Sequence, residues 1–514
     1  MSIKRREPEQ REGFEIFKRE VTKTTVNGLR DEQLWDSYFA YMLRKSANFS
    51  VPGSGKTATA LGMFAFLHNR ASVDKLIVIG PLNSFDSWIS EFRRVFGDNI
   101  PLEPVTSTEL KSMGGTIQYN VRFNLGRNNL ILMNYEAFEH NQDLTEALRE
   151  RIDGRTMLVF DEVHRIKAIG GKRAEGVAPI AKNSKYTIVM TGTPIPNNYS
   201  DVYNFLHILY GDDYDDYFVL GPKELSELKG PDATEFNKKL QPFYCRTTKN
   251  RLNVPPPRMD NVLSFAASEE ENDLFRRLHE AKMNPLVLMI RILQLESNPV
   301  MLGESSLEGI EALSFSDDGE MPRIKSMKAM GDAEDVLTSK TKGCIDLVES
   351  LAASGKSVIV WCIFIRSIRT LAHRLENDGI SVCTIYGDTQ DRQVAIDGFK
   401  SGRYRVMVTN PQTLAESVSL HEVCHDAVYF EYSYNLVHML QSKDRIHRLG
   451  LAPGQYTQYH FLETLFEDGD KMVSLDEAIH DRLNHKEKVM LDAIENDDLE
   501  QFTDGREEIE DLLL

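Results

Sequence analysis

A glycine-rich run near the start of the chain has the composition of a phosphate-binding loop. Residues 50–57 read SVPGSGKT, and a helical pattern over residues 58–68 follows them. Glycines let backbone N–H groups surround a phosphate, a lysine reaches the outer phosphates and a threonine holds Mg²⁺. Ser50 stands at the first position, where the general pattern has glycine. The run predicts a Walker A loop whose contacts to ATP come from Gly53, Ser54, Gly55, Lys56 and Thr57, the last of them also a ligand of Mg²⁺.

Two adjacent carboxylates follow an apolar strand pattern further along the chain. Residues 157–160 (MLVF) run directly into Asp161, Glu162, Val163 and His164. A carboxylate at the carboxyl end of a strand, beside a Walker A loop, is where Mg²⁺ finds its second anchor. We therefore predict a Walker B motif of the DExH type. In it Asp161 holds Mg²⁺, and Glu162 orients or deprotonates the attacking water.

A hydroxyl-rich turn is predicted to couple nucleotide state to the rest of the chain. Thr191, Gly192 and Thr193 follow the apolar pattern of residues 186–190. At that edge of the sheet they can sense the γ-phosphate through the DExH loop.

Two arginines near the far end of the chain suit the same chemistry. Residues 441–450 read QSKDRIHRLG. Because an arginine fork matches phosphate oxygens, we predict catalytic finger roles for Arg445 and Arg448, on one helix face, with Gln441 in coupling. The alternative is that both arginines pair with acidic groups such as Asp444 and Glu416.

Short apolar strand patterns alternate with helical patterns, which is typical of parallel sheets built from βαβ units. The first series lies at residues 75–80, 129–133, 157–160 and 186–190, and the second at 357–362, 382–386, 405–409 and 427–431. Two series predict an α/β fold with two lobes, each a mostly parallel sheet flanked by helices.

The predicted domain order has five parts. They are a charged N-terminal extension (1–21), an ATP-binding lobe (22–254), a connection with helices at 270–282 and 286–295 and a flexible loop (255–339), a second lobe (340–474) and an acidic helical tail (475–514). The connection begins with a run of prolines at residues 255–257, which cannot continue a helix.

Composition narrows the class of protein. A chain of 514 residues suits two domains, and 41% hydrophobic with 27% charged residues is typical of globular proteins. No apolar run approaches the roughly 18 residues of a membrane span, and residues 1–20 lack a signal-peptide core. We expect no membrane partner and a cytoplasmic location in a bacterial or phage-infected cell, or a nuclear one in a eukaryote.

Charge and cysteines constrain the partners. The net charge is −18, whereas nucleic-acid binders usually carry a basic face. We expect modest affinity for bare nucleic acid, or a protein partner that contributes to binding. The five cysteines form no CxxC pair, which argues against a disulfide framework or a zinc ribbon.

A second metal-like pattern occurs late in the chain. Residues 421–425 read HEVCH and match the HExxH pattern of zinc proteases. No third ligand is evident nearby, and the pattern runs directly into a strand. We therefore expect no zinc.

The motifs in this order resemble the Swi/Snf-type branch of helicase superfamily 2 over about residues 29–461. Further blocks carry the resemblance: LRDEQ at 29–33, GPL at 80–82 with Trp88 and Glu91, MNYE at 133–136, TGTPIPNNYSDVYNFLHIL at 191–209, PF at 242–243 with Arg246, Lys249 and Pro256, and DRIHRLG at 444–450. The chain departs from the family at residues 412–420, which contain no glycine, and at Leu451, where the family has glutamine.

The resemblance implies two RecA-like lobes, a DNA-dependent ATPase with ATP and Mg²⁺, and translocation along double-stranded DNA without strand separation and with little sequence preference. It implies that Gln33 reads adenine. It also implies nucleic-acid contacts at Asn83, Ser84, Asn134, Tyr135, Arg366, Thr409 and Asn410. Two alternatives stay open: a strand-separating helicase on DNA or RNA, and a nucleotide-gated scaffold subunit of a larger complex.

Overall fold

The computed structural model describes residues 2–495 except 140, 212, 282, 304–335, 388, 390, 415–417 and 453. The polar loop expected within residues 304–335 and the acidic tail beyond residue 495 lie outside the described residues, as does Glu416. The chain divides into two compact units between Leu252 and Asn253. We call residues 2–252 lobe 1 and residues 253–488 lobe 2.

Lobe 1 contains a seven-stranded, fully parallel sheet in the order β3-β4-β2-β5-β6-β1-β7. Its strands are β1 (Lys45–Asn48), β2 (Lys75–Gly80), β3 (Pro104–Thr106), β4 (Leu130–Asn134), β5 (Thr156–Phe160), β6 (Tyr186–Met190) and β7 (Tyr244–Cys245). Every residue of β4, β5 and β6 is buried, because helices cover both faces of the sheet. Their continuous apolar runs made these strands recognisable in the sequence.

Twelve described helices surround this sheet. They are α1 (Arg11–Thr22), α2 (Asp31–Leu43), α3 (Lys56–Asn69), α4 (Phe85–Phe96), α5 (Ser107–Ser112), α6 (Ile117–Asn124), α7 (Gln142–Arg149), α8 (Lys172–Val177), α9 (Tyr203–Tyr210), α10 (Asp213–Tyr217), α11 (Pro222–Ser226) and α12 (Gly230–Leu240). The core between α1 to α4 and the sheet is rich in aromatic residues such as Phe64, Trp88 and Phe92.

Lobe 2 contains a second sheet of seven strands, parallel except for its last pair. Its strands are β8 (Asn261–Ala266), β9 (Val358–Trp361), β10 (Val382–Ile385), β11 (Val406–Thr409), β12 (Asp426–Tyr429), β13 (Gln458–Asp468) and β14 (Lys471–Val473). Its helices are α13 (Glu269–Glu280), α14 (Pro285–Ser297), α15 (Ser339–Ala353), α16 (Ile365–Asn377), α17 (Arg392–Lys400), α18 (Leu436–Lys443) and, as far as Lys488, α19 (Leu475–Glu495). The prediction of two lobes with mostly parallel sheets is confirmed.

Several strands lie outside the two predicted series, and β8 differs most from its prediction. It lies inside the segment predicted to be a helical connection, yet it pairs in parallel with residues 460–465 of β13 and so belongs to the sheet of lobe 2. Its side chains alternate between half-buried and exposed along NVLSFA. A strand that is covered on one face lacks the long apolar run by which strands such as β4 and β5 were recognised.

Candidate nucleotide-binding site

The Walker A loop lies between β1 and α3 and has the conformation that phosphate binding requires. Gly53 and Gly55 adopt φ values of 77° and 86°, a region that side chains with a Cβ rarely enter. α3 begins at Lys56, so its N-terminal N–H groups point into the loop. The hydroxyl of Ser54 is buried and has no hydrogen-bond partner among the described residues.

Ser50 shows why glycine is not needed at the first position of the loop. Its hydroxyl accepts a hydrogen bond from the backbone N–H of Thr247 at 2.9 Å and lies 3.5 Å from Oδ2 of Asp36. The side chain therefore joins the start of the loop to α2 and to the segment after β7.

Gln33, the candidate for reading adenine, lies against the Walker A loop. Its Nε2 is 3.4 Å from the carbonyl of Gly55, and its Oε1 accepts the backbone N–H of Arg30 at 3.0 Å. A Cβ on Gly55 would overlap this amide, and the φ of 86° would strain any residue that carries one. Arg30 also donates to the carbonyl of Ser54, and its Nη1 is buried without a partner among the described residues. Arg30 was missed as a site residue, although it lies in the LRDEQ block.

Asp161 follows β5 and is fixed by contacts from three other elements. Its Oδ2 accepts the indole N–H of Trp88 at 2.9 Å, and its Oδ1 accepts the backbone N–H of Glu162 at 3.1 Å. The hydroxyl of Tyr135 donates to its backbone carbonyl at 2.8 Å. A Cβ on Gly80 would come within 3.0 Å of the Asp161 Cβ, so glycine at the end of β2 permits the close approach.

Glu162 sits in a strained conformation beside positive charge. Its φ of 48° is uncommon for a residue with a side chain and recurs at functional sites. Burial opposes ionisation of this carboxyl, but a hydrogen bond from His164 and the charges of Lys56, His164 and Arg165 outweigh it and lower its pKa to about 2.

The turn at residues 191–194 contacts both motifs. His164 Nδ1 lies 3.2 Å from Glu162 Oε2 and 3.0 Å from Thr191 Oγ1, which in turn accepts the backbone N–H of Thr193 at 3.0 Å. A Cβ on Gly192 would lie 2.6 Å from Cδ of Pro52 in the Walker A loop. The structure thus brings the three predicted motifs of lobe 1 together.

The residues of lobe 1 fit Mg²⁺ and ATP. The loop offers N–H groups from a helix N-terminus and the unpartnered hydroxyl of Ser54, all donors suited to phosphate oxygens. Lys56 begins α3, and its Nζ is 3.2 Å from the carbonyl of Ser50. Thr57 and Asp161 carry oxygen atoms of the hard type that Mg²⁺ prefers, so these two residues could hold the ion.

The arginines of lobe 2 do not share a helix face, which corrects the prediction. α18 ends at Lys443, so Arg445 and Arg448 lie in the irregular segment that follows it. Arg445 is 4% exposed, and it donates from Nε to the carbonyl of Gln441 at 2.9 Å and from Nη1 to that of Val418 at 3.1 Å. Arg448 is only half-buried, and burial lowers the pKa of its guanidinium.

The candidate nucleic-acid contacts differ in accessibility. Tyr135 and Thr409 are fully buried and donate to backbone carbonyls, so their side chains hold the fold rather than face a ligand. Ser84 donates to the carbonyl of Pro81, Asn134 contacts Ser107 and Glu136, and Asn410 accepts from the backbone of Thr413. Arg366 and Asn83 are half-buried, and Oδ1 of Asn83 has no hydrogen-bond partner among the described residues.

The HEVCH segment forms a turn rather than a helix. His421 Nδ1 lies 2.6 Å from the hydroxyl of Ser419, and the ring of His425 lies 2.6 Å from Nε2 of Gln455. Within the described part of the chain, no group of three or more His, Cys, Asp or Glu side chains is placed to hold a metal ion. The helical spacing on which the HExxH chemistry depends is therefore not present here.

No helix in the described part of the chain is both long and apolar enough to cross a bilayer.

Two family models match this chain. The sequence profile of the SNF2-related domain matches residues 50–311, and that of the helicase conserved C-terminal domain matches residues 339–450. A solved structure described as the Sulfolobus solfataricus SWI2/SNF2 ATPase core in complex with dsDNA is 17% identical with a TM-score of 0.40, over 92% of this chain and 95% of that one.

Three curated proteins illustrate the relationship. Protein CHROMATIN REMODELING 5 of Arabidopsis thaliana is 23% identical over 84% of this chain and 26% of its own length. The probable chromatin-remodeling complex ATPase chain of Oryza sativa subsp. japonica is 22% identical over 83% of this chain and 38% of its own length. Chromodomain-helicase-DNA-binding protein 7 of Homo sapiens is also 22% identical, over 95% of this chain and 17% of its own length. This chain spans less than two-fifths of the length of each, and their names do not support a cytoplasmic location. Since the first profile matches half of the sequence and both follow in order, the chain belongs to the SNF2-related domain family.

Proposed function

We propose that this protein is an ATP-hydrolysing motor that moves along double-stranded DNA without separating its strands. The observation that carries the proposal is the contact series from Glu162 through His164 to Thr191, beside a Walker A loop of the correct conformation. These contacts connect Glu162 to the turn at residues 191–194. A protein that only binds ATP does not need such a connection.

In lobe 1 the proposed roles follow from position. The loop N–H groups and Lys56 bind the phosphates, Gln33 reads the adenine, and Glu162 orients the attacking water. Mg²⁺, held at Thr57 and Asp161, would neutralise part of the phosphate charge when bound. Thr191 and Thr193 would report the state of the γ-phosphate through His164.

In lobe 2 we propose that Arg448 acts on the phosphates during hydrolysis, because Arg448 is only half-buried whereas Arg445 is buried. Arg445 and Gln441 would instead fix the segment around Val418, where the family's coupling loop lies. This division of roles refines the prediction of two equivalent arginine fingers.

DNA as the track is supported by the names of relatives, one an ATPase chain of a chromatin-remodeling complex and one a DNA-binding protein. Phosphate and sugar contacts carry no sequence information, so the motor should show little sequence preference. With a net charge of −18, we propose that a protein partner contributes to DNA binding. The location stays a prediction, nuclear if the host is a eukaryote.

Steady-state ATP hydrolysis tests the activity. It would be measured without nucleic acid and with duplex DNA, single-stranded DNA or duplex RNA, using Glu162→Gln and, as a matched control, the exposed Glu150→Gln. We expect stimulation chiefly by duplex DNA, loss of hydrolysis in Glu162→Gln by roughly 10²- to 10⁴-fold, and no loss in Glu150→Gln. Hydrolysis that ignores every polymer would contradict an autonomous motor and favour the scaffold.

Translocation is separated from unwinding by two substrates. A motor that tracks along duplex DNA displaces a third strand from a triplex and leaves a forked duplex intact. A strand-separating helicase opens the fork. If the protein opens the fork as fast as it displaces the third strand, it separates strands, and this part of the proposal is wrong.

A further inference from the structure

The indole of Trp88 makes an unusual contact with the proposed Mg²⁺ carboxylate. Trp88 lies on α4, is 0% exposed and belongs to the aromatic core of lobe 1. A buried indole N–H requires an acceptor. Here the acceptor is Oδ2 of Asp161, at 2.9 Å, rather than a backbone carbonyl.

The neighbouring contacts leave the Asp161 carboxylate little rotational freedom. Its Oδ1 accepts the backbone N–H of Glu162, and its Oδ2 accepts the indole N–H of Trp88. The close approach of Gly80 and the hydrogen bond from Tyr135 fix the backbone of the same residue. The Glu162 contact comes from the adjacent peptide, whereas the Trp88 contact connects this carboxylate to the aromatic core of lobe 1.

We infer that Trp88 is a positioning residue for Mg²⁺: its indole N–H aims the Asp161 carboxylate at the metal bound with ATP. The inference rests on the proposed function, since it concerns the same site. Removal of a side chain that orients a metal ligand typically lowers metal affinity by about 10- to 100-fold. Trp88 thus acts on nucleotide binding only when Mg²⁺ is present.

The test is a binding titration rather than an activity assay. Fluorescently labelled ADP is bound to the full chain at increasing MgCl₂, and separately in EDTA. We expect Trp88→Phe, which removes the N–H, to raise the Mg²⁺ concentration at half-saturation by roughly 10- to 100-fold while affinity in EDTA stays within about twofold of the unsubstituted chain. Phe92→Leu is the matched control, since Phe92 is equally buried on α4 and its side chain has no polar atom. It should leave the Mg²⁺ dependence unchanged.

The outcomes separate this inference from the function on which it rests. If Trp88→Phe loses affinity equally with and without Mg²⁺, or binds as the unsubstituted chain does, Trp88 has only a packing role. If the unsubstituted chain itself shows no Mg²⁺-dependent binding, the proposed ATP site fails together with this inference. Should Trp88→Phe not fold, benzothienylalanine at position 88 keeps the indole shape without the N–H, and the same titration then decides.

Discussion

The imidazole of His164 lies 3.0 Å from the hydroxyl of Thr191. The two residues follow adjacent parallel strands, β5 and β6, and their contact connects the Walker B motif to the turn at residues 191–194. The same imidazole nitrogen is 3.2 Å from Oε2 of Glu162, so it lies between the turn and the residue proposed to orient water.

We expect His164→Ala to slow ATP hydrolysis more than it weakens ATP binding. Without the imidazole, Glu162 loses its hydrogen-bond partner and the positive charge that help to keep its pKa low. We expect kcat to fall by about 10- to 100-fold, with KM for ATP within a few fold, since this interaction contributes mainly to the reacting state. Steady-state kinetics with duplex DNA provides the measurement. A rise in KM with kcat unchanged would assign His164 to binding instead.

Substitution of Gly192 should disturb the site without removing any functional group. An alanine Cβ would lie 2.6 Å from Cδ and 2.8 Å from Cγ of Pro52, so the turn or the Walker A loop must shift. We expect Gly192→Ala to weaken ATP binding and to cost about 1–3 kcal/mol of stability. Gly114→Ala is the control, because a Cβ added at Gly114 would meet nothing within 4 Å. Equal ATP affinity and equal thermal unfolding of the two variants would show that the contact is not tight.

Asp36 is expected to make stability depend on pH. Its Oδ2 accepts a hydrogen bond from Thr247 at 2.9 Å, and burial is the largest cause of a pKa raised from 3.8 to about 6. The pKa of Asp36 is higher in the folded chain than in the unfolded chain. The contribution of Asp36 to the free energy of unfolding is therefore fully present below about pH 4 and is lost as pH rises through about 6. Charged groups that act on it are Glu32, which raises the pKa, and Arg6 and Arg251, which lower it.

Asp36→Asn should remove this pH dependence. Between pH 4 and pH 7, the free energy of unfolding of the variant should rise by about 2–3 kcal/mol relative to that of the unsubstituted chain. Urea unfolding at several pH values gives that difference. Asp31→Asn, at the exposed start of the same helix, should show no such shift. A constant difference across the range would rule out Asp36 as the titrating group.

Motifs with fixed spacing were predictable from the sequence, whereas contacts between motifs were not. Strands such as β4 and β5 are buried on both faces and therefore appear as continuous apolar runs. β8 was missed because its half-buried and exposed side chains alternate.

The contact of Trp88 with Asp161 joins residues far apart in sequence, and only the parallel order of β2 and β5 brings them together. Helix ends are likewise weakly encoded, which is why Arg445 was placed on a helix that ends at Lys443.

The two arginines of lobe 2 should respond differently to substitution. Arg445→Ala removes donors to the carbonyls of Gln441 and Val418, and we expect losses of both stability, about 1–3 kcal/mol, and ATPase activity. Arg448→Lys keeps the charge but loses the planar fork, so we expect kcat to fall with little change in stability. Thermal unfolding and ATP hydrolysis measured on both variants test the division. Equal destabilisation by the two substitutions would refute it.

Lys340 should be among the most sensitive positions for the stability of lobe 2. Its Nζ lies 2.8 Å from Asp476 and 3.5 Å from Glu296, and all three side chains are 0% exposed. Burial and the charge of Asp476 raise the pKa of Glu296 well above its ordinary value, and the charge of Lys340 opposes that rise. Lys340→Met leaves two buried carboxyl groups without their cation, and we expect a loss of about 3–5 kcal/mol.

Lys342→Met is the matched control for this prediction, since Lys342 lies on the same helix and is exposed. Chemical unfolding of both variants at neutral pH gives the comparison. Because Glu296 gains a proton more readily without the cation, the loss in Lys340→Met should shrink as pH falls, whereas the effect of Lys342→Met should stay small throughout. A loss in Lys340→Met no larger than in the control would show that the carboxyl groups do not need the lysine, and that α15 and α19 are held in place by apolar packing alone.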